Sequence, residues 1–503
     1  MSISCSALKQ TENNGSLDFA NQKSSQWHEK INKKFTSYDT KNTTILFGGM
    51  TILQDRLVMA ILESAPEKFV ALPNPDFESF RAGKAFGNKA QCNPTYFTVG
   101  NLVKYLLNLK QAKGMSTEEI IEKYVYVTAS GCGPCRFGMY ITEYRKALFD
   151  AGFGGFRILS FEQNKFVADD SESAFKFTKS FFATIAKAVV VGDILNMIKY
   201  KMRPYEIEKG SVDEAMERCY QIIEDSFKKK SNITLSLYKC KKILRAVKLN
   251  RTQVKPKVMV MGEFWAAMTE GDGNYELHSF LEQEGAEVIP QPIIHRLMLS
   301  IWENGYFLKR DGYLEDARQG MSVDISAGKE KLGLFILKQV VKMHFYLYAK
   351  AAGLVEYKLP DIEALSKMAK EYYPLDADSG EGHMEVSHLL DNIKHKVAHL
   401  VISVKPFGCM PSSAVSDGVQ SLIVARHPET NFLSVETSGE GAANFYSRVQ
   451  MALFKAKQAA KDEFEGLTKI ETLPKYIQQY DYASHSTLTG TAARLIDTIS
   501  KKH

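Results

Sequence analysis

Short β-branched and apolar runs alternate along the chain with stretches whose apolar residues recur every three or four positions. Thr44 to Gly48 reads as a strand, Asp55 to Ala65 as a helix, and Phe69 to Leu72 as a second strand ending at Pro73. That is a β-α-β unit. Strands at Tyr124 to Thr128 and Arg157 to Phe161 enclose a helix from about Arg136 to Ala151. The pattern returns at Lys257 to Met261, followed by an amphipathic stretch from Tyr275 to Glu284 and a strand at Glu287 to Ile289. Strands at His399 to Lys405 and near Phe432 to Glu436, then a helix from Ala442, close the second unit. Strands that alternate with helices build parallel sheets covered on both faces, so the predicted fold class is α/β with two doubly wound parallel-sheet domains.

Between the two units, Val212 to Phe227 and Tyr238 to Val247 carry apolar residues at helical spacing and predict a helical connector that ends near Lys255-Pro256. The expected organisation is a flexible polar tail over 1–43, a first α/β domain over 44–200, the connector over 201–255 and a second α/β domain over 256–503. A long helical insert, with its helical pattern over Lys329 to Lys370 and its limits at 329–398, interrupts the second domain.

Composition narrows the class. With 503 residues, 45% hydrophobic and 24% charged, the chain has the profile of a globular protein of several domains. The net charge of +6 is spread along the sequence without a concentrated basic block, which gives no reason to expect nucleic acid. Leu332 to Leu354 is the most apolar long segment, yet Lys338, Lys342 and Lys350 interrupt it, so no membrane span and no membrane partner are expected. Seven cysteines are too few for a disulfide scaffold, and the polar start lacks an apolar stretch of secretory length; both fit a reducing, cytoplasmic setting.

The cysteines fall into two groups. Cys5 lies in the tail, Cys219 shares a stripe with Val212, Met216 and Ile223, and Cys240 shares one with Ile243, Leu244 and Val247, so the last two read as small core residues. Cys92, Cys132, Cys135 and Cys409 each stand in a turn with Gly or Pro nearby, directly ahead of a helical pattern. In open α/β sheets ligands bind at the carboxyl ends of strands, and helix N-termini favour thiolates and anionic metal–sulfur centres. Four thiolates suit a structural zinc or a [4Fe–4S] cluster. Cys132 and Cys135 alone, as Cys-Gly-Pro-Cys between a strand and a helix, also match the dithiol of a thioredoxin-like oxidoreductase, though Ser130-Gly131 replaces the usual preceding aromatic. Zinc fits less well, because its ligands usually come as closely spaced pairs.

The segments Ala90-Gln-Cys-Asn-Pro-Thr-Tyr-Phe-Thr-Val-Gly100, Ser130-Gly-Cys-Gly-Pro-Cys-Arg-Phe-Gly-Met-Tyr140, Arg203-Pro-Tyr-Glu206, Gly262-Glu263 and Lys405-Pro-Phe-Gly-Cys-Met-Pro411 occur in order. Together they resemble the iron–sulfur family of 2-hydroxyacyl-CoA dehydratases, benzoyl-CoA reductases and double-cubane-cluster proteins, and look most like the non-ATPase region of the large activase-related proteins. The resemblance runs from about Ile45 to Gln458. It implies flavodoxin-like domains that hold a low-potential cluster between them, with Cys92, Cys132, Cys135 and Cys409 as ligands. It also implies a separate ATP-hydrolysing iron–sulfur activator as partner, an acyl-CoA as substrate class, and a homo- or heterodimer. Two departures stand out. Dehydratase subunits of that family typically use three cysteines and leave one iron open, whereas this chain offers four, which puts the dehydratase activity itself in question. A double cubane would also need Cys219 or Cys240 to leave its apolar stripe. No Gly-x-x-x-x-Gly-Lys-Ser/Thr loop is present.

Glu263, Glu381 (in Ser379-Gly-Glu-Gly-His383) and Glu440 (in Ser438-Gly-Glu-Gly441) are expected in glycine-containing loops, where a carboxylate either contacts substrate or stabilises the turn. Glu263, Glu440 and His383 are the catalytic candidates. Arg136, beside the thiols, is a candidate for tuning cluster charge or a plain solvent-facing residue. The competing non-enzyme reading is an interaction protein stabilised by a cluster or by zinc.

Overall fold

β1 (Thr44–Phe47), α1 (Ile52–Leu62) and β2 (Lys68–Ala71) form the first β-α-β unit, and α1 starts where Thr51 and Gln54 close a capping box. In this computed structural model the described residues are 39, 42–131, 135–162, 179–319, 325–355, 357–377 and 380–467, without the side chains at 161–162, 179–182, 311–319, 325–327 and 467. Then follow α2 (Phe77–Phe86), α3 (Asn93–Lys113), α4 (Thr117–Lys123), β3 (Tyr124–Ser130), a 3₁₀ turn at Arg136–Met139, α5 (Tyr140–Asp150), β4 (Arg157–Glu162) and α6 (Lys179–Met202). The connector is α7 (Ser211–Lys228) and α8 (Ile233–Arg245). The second half runs through β5 (Lys257–Gly262), α9 (Phe264–Met268), α10 (Leu277–Gln283), β6 (Glu287–Ile289), α11 (Ile293–Gln319), α12 (Ile325–Ala352), α13 (Ile362–Ala369) and α14 (Gly382–His395). It closes with β7 (Leu400–Pro406), α15 (Met410–Ser413), a π-helical stretch at Ala414–Gln420, α16 (Ser421–Arg426), β8 (Phe432–Thr437) and α17 (Ala442–Leu467).

Two four-stranded parallel sheets result, ordered β2-β1-β3-β4 and β6-β5-β7-β8. Helices cover both faces of each. In β1, Leu46 joins the core made with Leu102 and Leu106 of α3 and Tyr144 of α5, while Phe47 joins the one made with Leu57 of α1 and Ile194 of α6. In the second sheet, Val258 and Val260 pack towards Leu281 of α10 and Val449 of α17, and Met261 packs towards Val386 and Leu389 of α14. Strands buried on both faces are mostly apolar, and all seven residues of β7 are buried, Ser403 and Lys405 included. The fold is therefore α/β with two parallel sheets, as expected.

The expected domain limits are less sharp in space. All described residues belong to one compact unit. One core joins Leu57, Val212 and Cys219 with Ile294, Phe345 and Met384, and another joins Phe80 and Phe97 with Trp265 and Val404. The motif Arg203-Pro-Tyr-Glu206 is the clasp between connector and second sheet. Arg203 Nε meets Glu282 at 3.0 Å, Tyr205 donates its hydroxyl to buried Glu287 at 2.8 Å, and Glu206 accepts from the Gly210 and Val212 amides at the start of α7. Cys219 and Cys240 are fully buried in the connector core.

Several boundaries differ from the sequence reading. The helical insert begins at Ile293 rather than 329, and within it α12 ends at Ala352 because Gly353 takes a left-handed backbone, before Asp361 caps a new start at α13. The amphipathic stretch begins at Leu277, since Tyr275 and Glu276 have left-handed backbones. Glu381, expected in a loop, is the residue from which α14 starts. The tail expected over 1–43 lies mostly outside the described residues, but its end is anchored: Asp39 pairs with Arg157 at 2.6 Å, both nearly buried.

Candidate functional site

Both sheets change winding direction between their first and third strands, β1/β3 and β5/β7, and crevices at such points take ligands in open α/β sheets. Cys135 follows β3, Glu263 follows β5 and Cys409 follows β7, while Cys92 caps α3. Cys132 and Cys5 lie outside the described residues.

Direct contacts join the Cys92 and Cys409 loops. The Asn93 amide donates to the Phe407 carbonyl at 2.9 Å. Gly408 has a φ of +76°, and a Cβ there would stand 3.2 Å from the Cys92 Cα, so the turn takes glycine both for its left-handed backbone and for this approach. From the other side the Cys92 loop is held by α5. Buried Glu143 accepts from the Asn88 amide, from Asn88 Nδ2 at 2.8 Å and from Gln91 Nε2 at 3.3 Å. Arg136 donates to the Ala90 carbonyl, so it splices the Cys135 turn to the Cys92 loop. Cys92 Sγ has two hydroxyls at 3.0 Å, those of Thr95 and Tyr140.

A buried acidic group adjoins the thiols. Glu263 caps α9 by accepting from the Ala266 amide at 2.8 Å, and burial together with Glu381 pushes its carboxyl up to about 7. Glu385 is pushed up to about 8 by burial and by Glu381, and it accepts from the Ser412 hydroxyl at 3.1 Å, three residues past Cys409. Burial raises Glu381 as well, against the pull of Arg296, whose guanidinium stands 3.4 Å from it and 3.0 Å from Glu303. The thiols sense the same field. Burial, with Glu381, Glu263 and Cys92 adding to it, pushes Cys135 up to about 11, and burial and Glu263 push Cys409 well above its ordinary range.

The segments that follow Cys135 and Cys409 are only four residues long, so little helix dipole acts on these thiols, and burial with the neighbouring carboxyls raises both in their free form. Cys92, Cys135 and Cys409 are free of disulfides, and the site gathers thiols and carboxyls that can become anionic, with Arg296 beside the carboxyls. Such a donor set suits a cationic metal centre. Among the described residues, no three His, Cys, Asp or Glu side chains converge on the position of one ion.

No family model and no curated protein matches this chain.

The catalytic candidates separate. Glu263 lies in the crevice. Glu440 is exposed in the turn before α17, where its amide meets the Ser438 hydroxyl at 3.4 Å. His383 is a buried core residue between Trp302 and Tyr373, its ring centroid 5.2 and 4.8 Å from theirs, and burial lowers its basicity. Tyr140, Glu143, Arg296 and Glu385 were missed by sequence reasoning. Tyr140 alone carried a signal, as the last residue of the Ser130 to Tyr140 motif; Glu143 stands just past that motif, and Arg296 and Glu385 lie far from any cysteine in sequence. A cavity of about 360 Å³ lies next to the end of β5, lined by Met261, Gln291, His295 and His388, and Gln291 accepts from the Gly262 amide at 3.2 Å.

Proposed function

We propose that this chain is a cytoplasmic iron–sulfur protein with one low-potential [4Fe–4S] centre on Cys92, Cys132, Cys135 and Cys409, set between two flavodoxin-like halves. A separate ATP-hydrolysing iron–sulfur activator supplies its electrons, and it works in electron transfer or in reductive acyl-CoA chemistry related to 2-hydroxyacyl-CoA dehydration. The observation that carries this reading is the direct contact between the loops that bear Cys92, Cys135 and Cys409, three free cysteines from distant segments, with buried carboxyls beside them.

When bound, such a centre supplies single electrons at low potential. The protein's own groups do the rest. Tyr140 and Thr95 offer hydroxyls to the Cys92 sulfur, and burial raises the Tyr140 phenol well above its ordinary range, so its proton stays available for that bond. Glu263 and Glu385 hold protons near neutral pH in a water-poor crevice, where a carboxyl can accompany electron arrival with proton transfer. Arg136 and Glu143 fix the Cys92 loop from behind.

Iron and sulfide analysis of protein purified without oxygen tests the reading. The expected result is near four iron per chain, lowered by Cys409→Ala, with reduction by the activator only when ATP is hydrolysed. Stoichiometric zinc without iron would overturn the cluster, and equal reduction with and without hydrolysable ATP would overturn the activator.

A further inference from the structure

α12 packs against α6, α8 and α11. Phe345, Tyr348, Ala349 and Ala352 form its buried face. With about 3.6 residues per turn, Leu332, Phe335, Ile336, Val340, Met343 and Leu347 share the opposite face, and they are 40–59% exposed. The stripe is about 22 Å long. A helix apolar on both faces ordinarily has a second covering surface.

The charges around the stripe indicate which surface. Lys331, Lys338 and Lys342 line one flank, Lys329 and Lys350 stand near its ends, and Glu330 is the one acidic residue of the helix. α8, packed against α12, adds Lys239, Lys241, Lys242 and Arg245 with no acid, and exposes Leu235 and Tyr238. No acidic residue occurs between Asp225 and Glu263. Each helix thus has an excess of four positive charges, against +6 for the whole chain. The fold packs these two basic helices, each with exposed apolar residues, side by side although they are about 80 positions apart in sequence.

An antiparallel twofold pairing of α12 with a second copy would set the Lys331, Lys338 and Lys342 flanks against each other, which like charges oppose. Nucleic acid would match the lysines but leave the aliphatic stripe in water. We propose that the outward face of α12, with α8 beside it, rests on an anionic lipid surface, its apolar side chains entering the headgroup boundary and its lysines meeting lipid phosphates. This departs from the sequence expectation of no membrane partner. It needs no spanning segment, and among the described residues no helix is long and apolar enough to cross a membrane.

Flotation of the full chain with vesicles tests it, using phosphatidylcholine alone and phosphatidylcholine with a one-third share of phosphatidylglycerol. The expected result is binding to the anionic vesicles only, weakened by salt, and reduced at least about tenfold by Phe335→Glu with Ile336→Glu, since two half-exposed apolar anchors are lost. Lys331→Glu with Lys338→Glu should weaken binding without touching the apolar face. Phe335, Ile336 and Lys331 are exposed and Lys338 is half-buried, and an unchanged melting temperature verifies the fold. Absence of binding to anionic vesicles at low salt would overturn the proposal. So would a stable dimer that the Phe335/Ile336 variant dissociates, or capture of an RNA or acidic protein probe without vesicle binding.

Discussion

The hydroxyl of Tyr140 lies 3.0 Å from the sulfur of Cys92, and both are buried. Forty-eight positions separate them in sequence. The contact links the first residue of α5 to the residue that caps α3, so two helices meet at one thiol.

Tyr140→Phe keeps the ring and deletes that hydrogen bond. It should destabilise the protein by about 1 kcal/mol, because a buried neutral hydrogen bond is worth roughly that much. In the proposed iron–sulfur form it should also move the reduction potential to a more negative value, since hydrogen bonds to cluster sulfurs favour the reduced state. Thermal melting and a redox titration measure the two effects. An unchanged potential in protein with full iron would show that the hydroxyl does not bear on the centre.

Glu385 should make stability depend on pH. Burial lifts its folded pKa to about 8 from an ordinary 4.5, so its favourable contribution is complete below about 4.5 and is lost as pH rises through about 8, when the buried carboxyl must ionise. Glu385→Gln keeps the hydrogen bond from Ser412 and removes the titration. In metal-free protein, the melting temperature of Glu385→Gln relative to the parent should therefore rise between pH 5 and pH 9. A constant difference across that range would exclude Glu385 as the titrating group.

Gly100 should tolerate no side chain. A Cβ there would stand 1.8 Å from the Ser79 carbonyl oxygen, and one at Gly83 would stand 1.9 Å from that of Tyr96, so α2 and α3 touch backbone to backbone. Gly100→Ala must push the helices apart and should cost at least about 3 kcal/mol. A denaturation midpoint close to that of the parent would contradict this account. Because α3 begins at Cys92, the same substitution should also loosen the thiol loop, seen as faster alkylation of Cys92.

The sequence by itself determined the order of elements. Apolar runs of four to seven residues, such as β1 and β7, have no long helical alternative once glycine and proline bound them, and they stand where the hydrophobic pattern puts them. The same local signals place Cys92 and Cys409 at helix starts, each with a proline in the first turn. Cys219 and Cys240 were legible as core because helical spacing aligns them with apolar neighbours. Only the tertiary structure decided which chains of contact cross between these elements. Glu385 reaches Ser412 across 27 positions, Glu143 holds a loop 55 positions away, and the lysine-rich helices α8 and α12 pack against each other. Periodicity encodes which face of an element avoids water, but not the partner it meets. The protonation of Glu263, Glu385 and Cys135 follows from that meeting, because burial and neighbouring charge exist only once distant segments have packed.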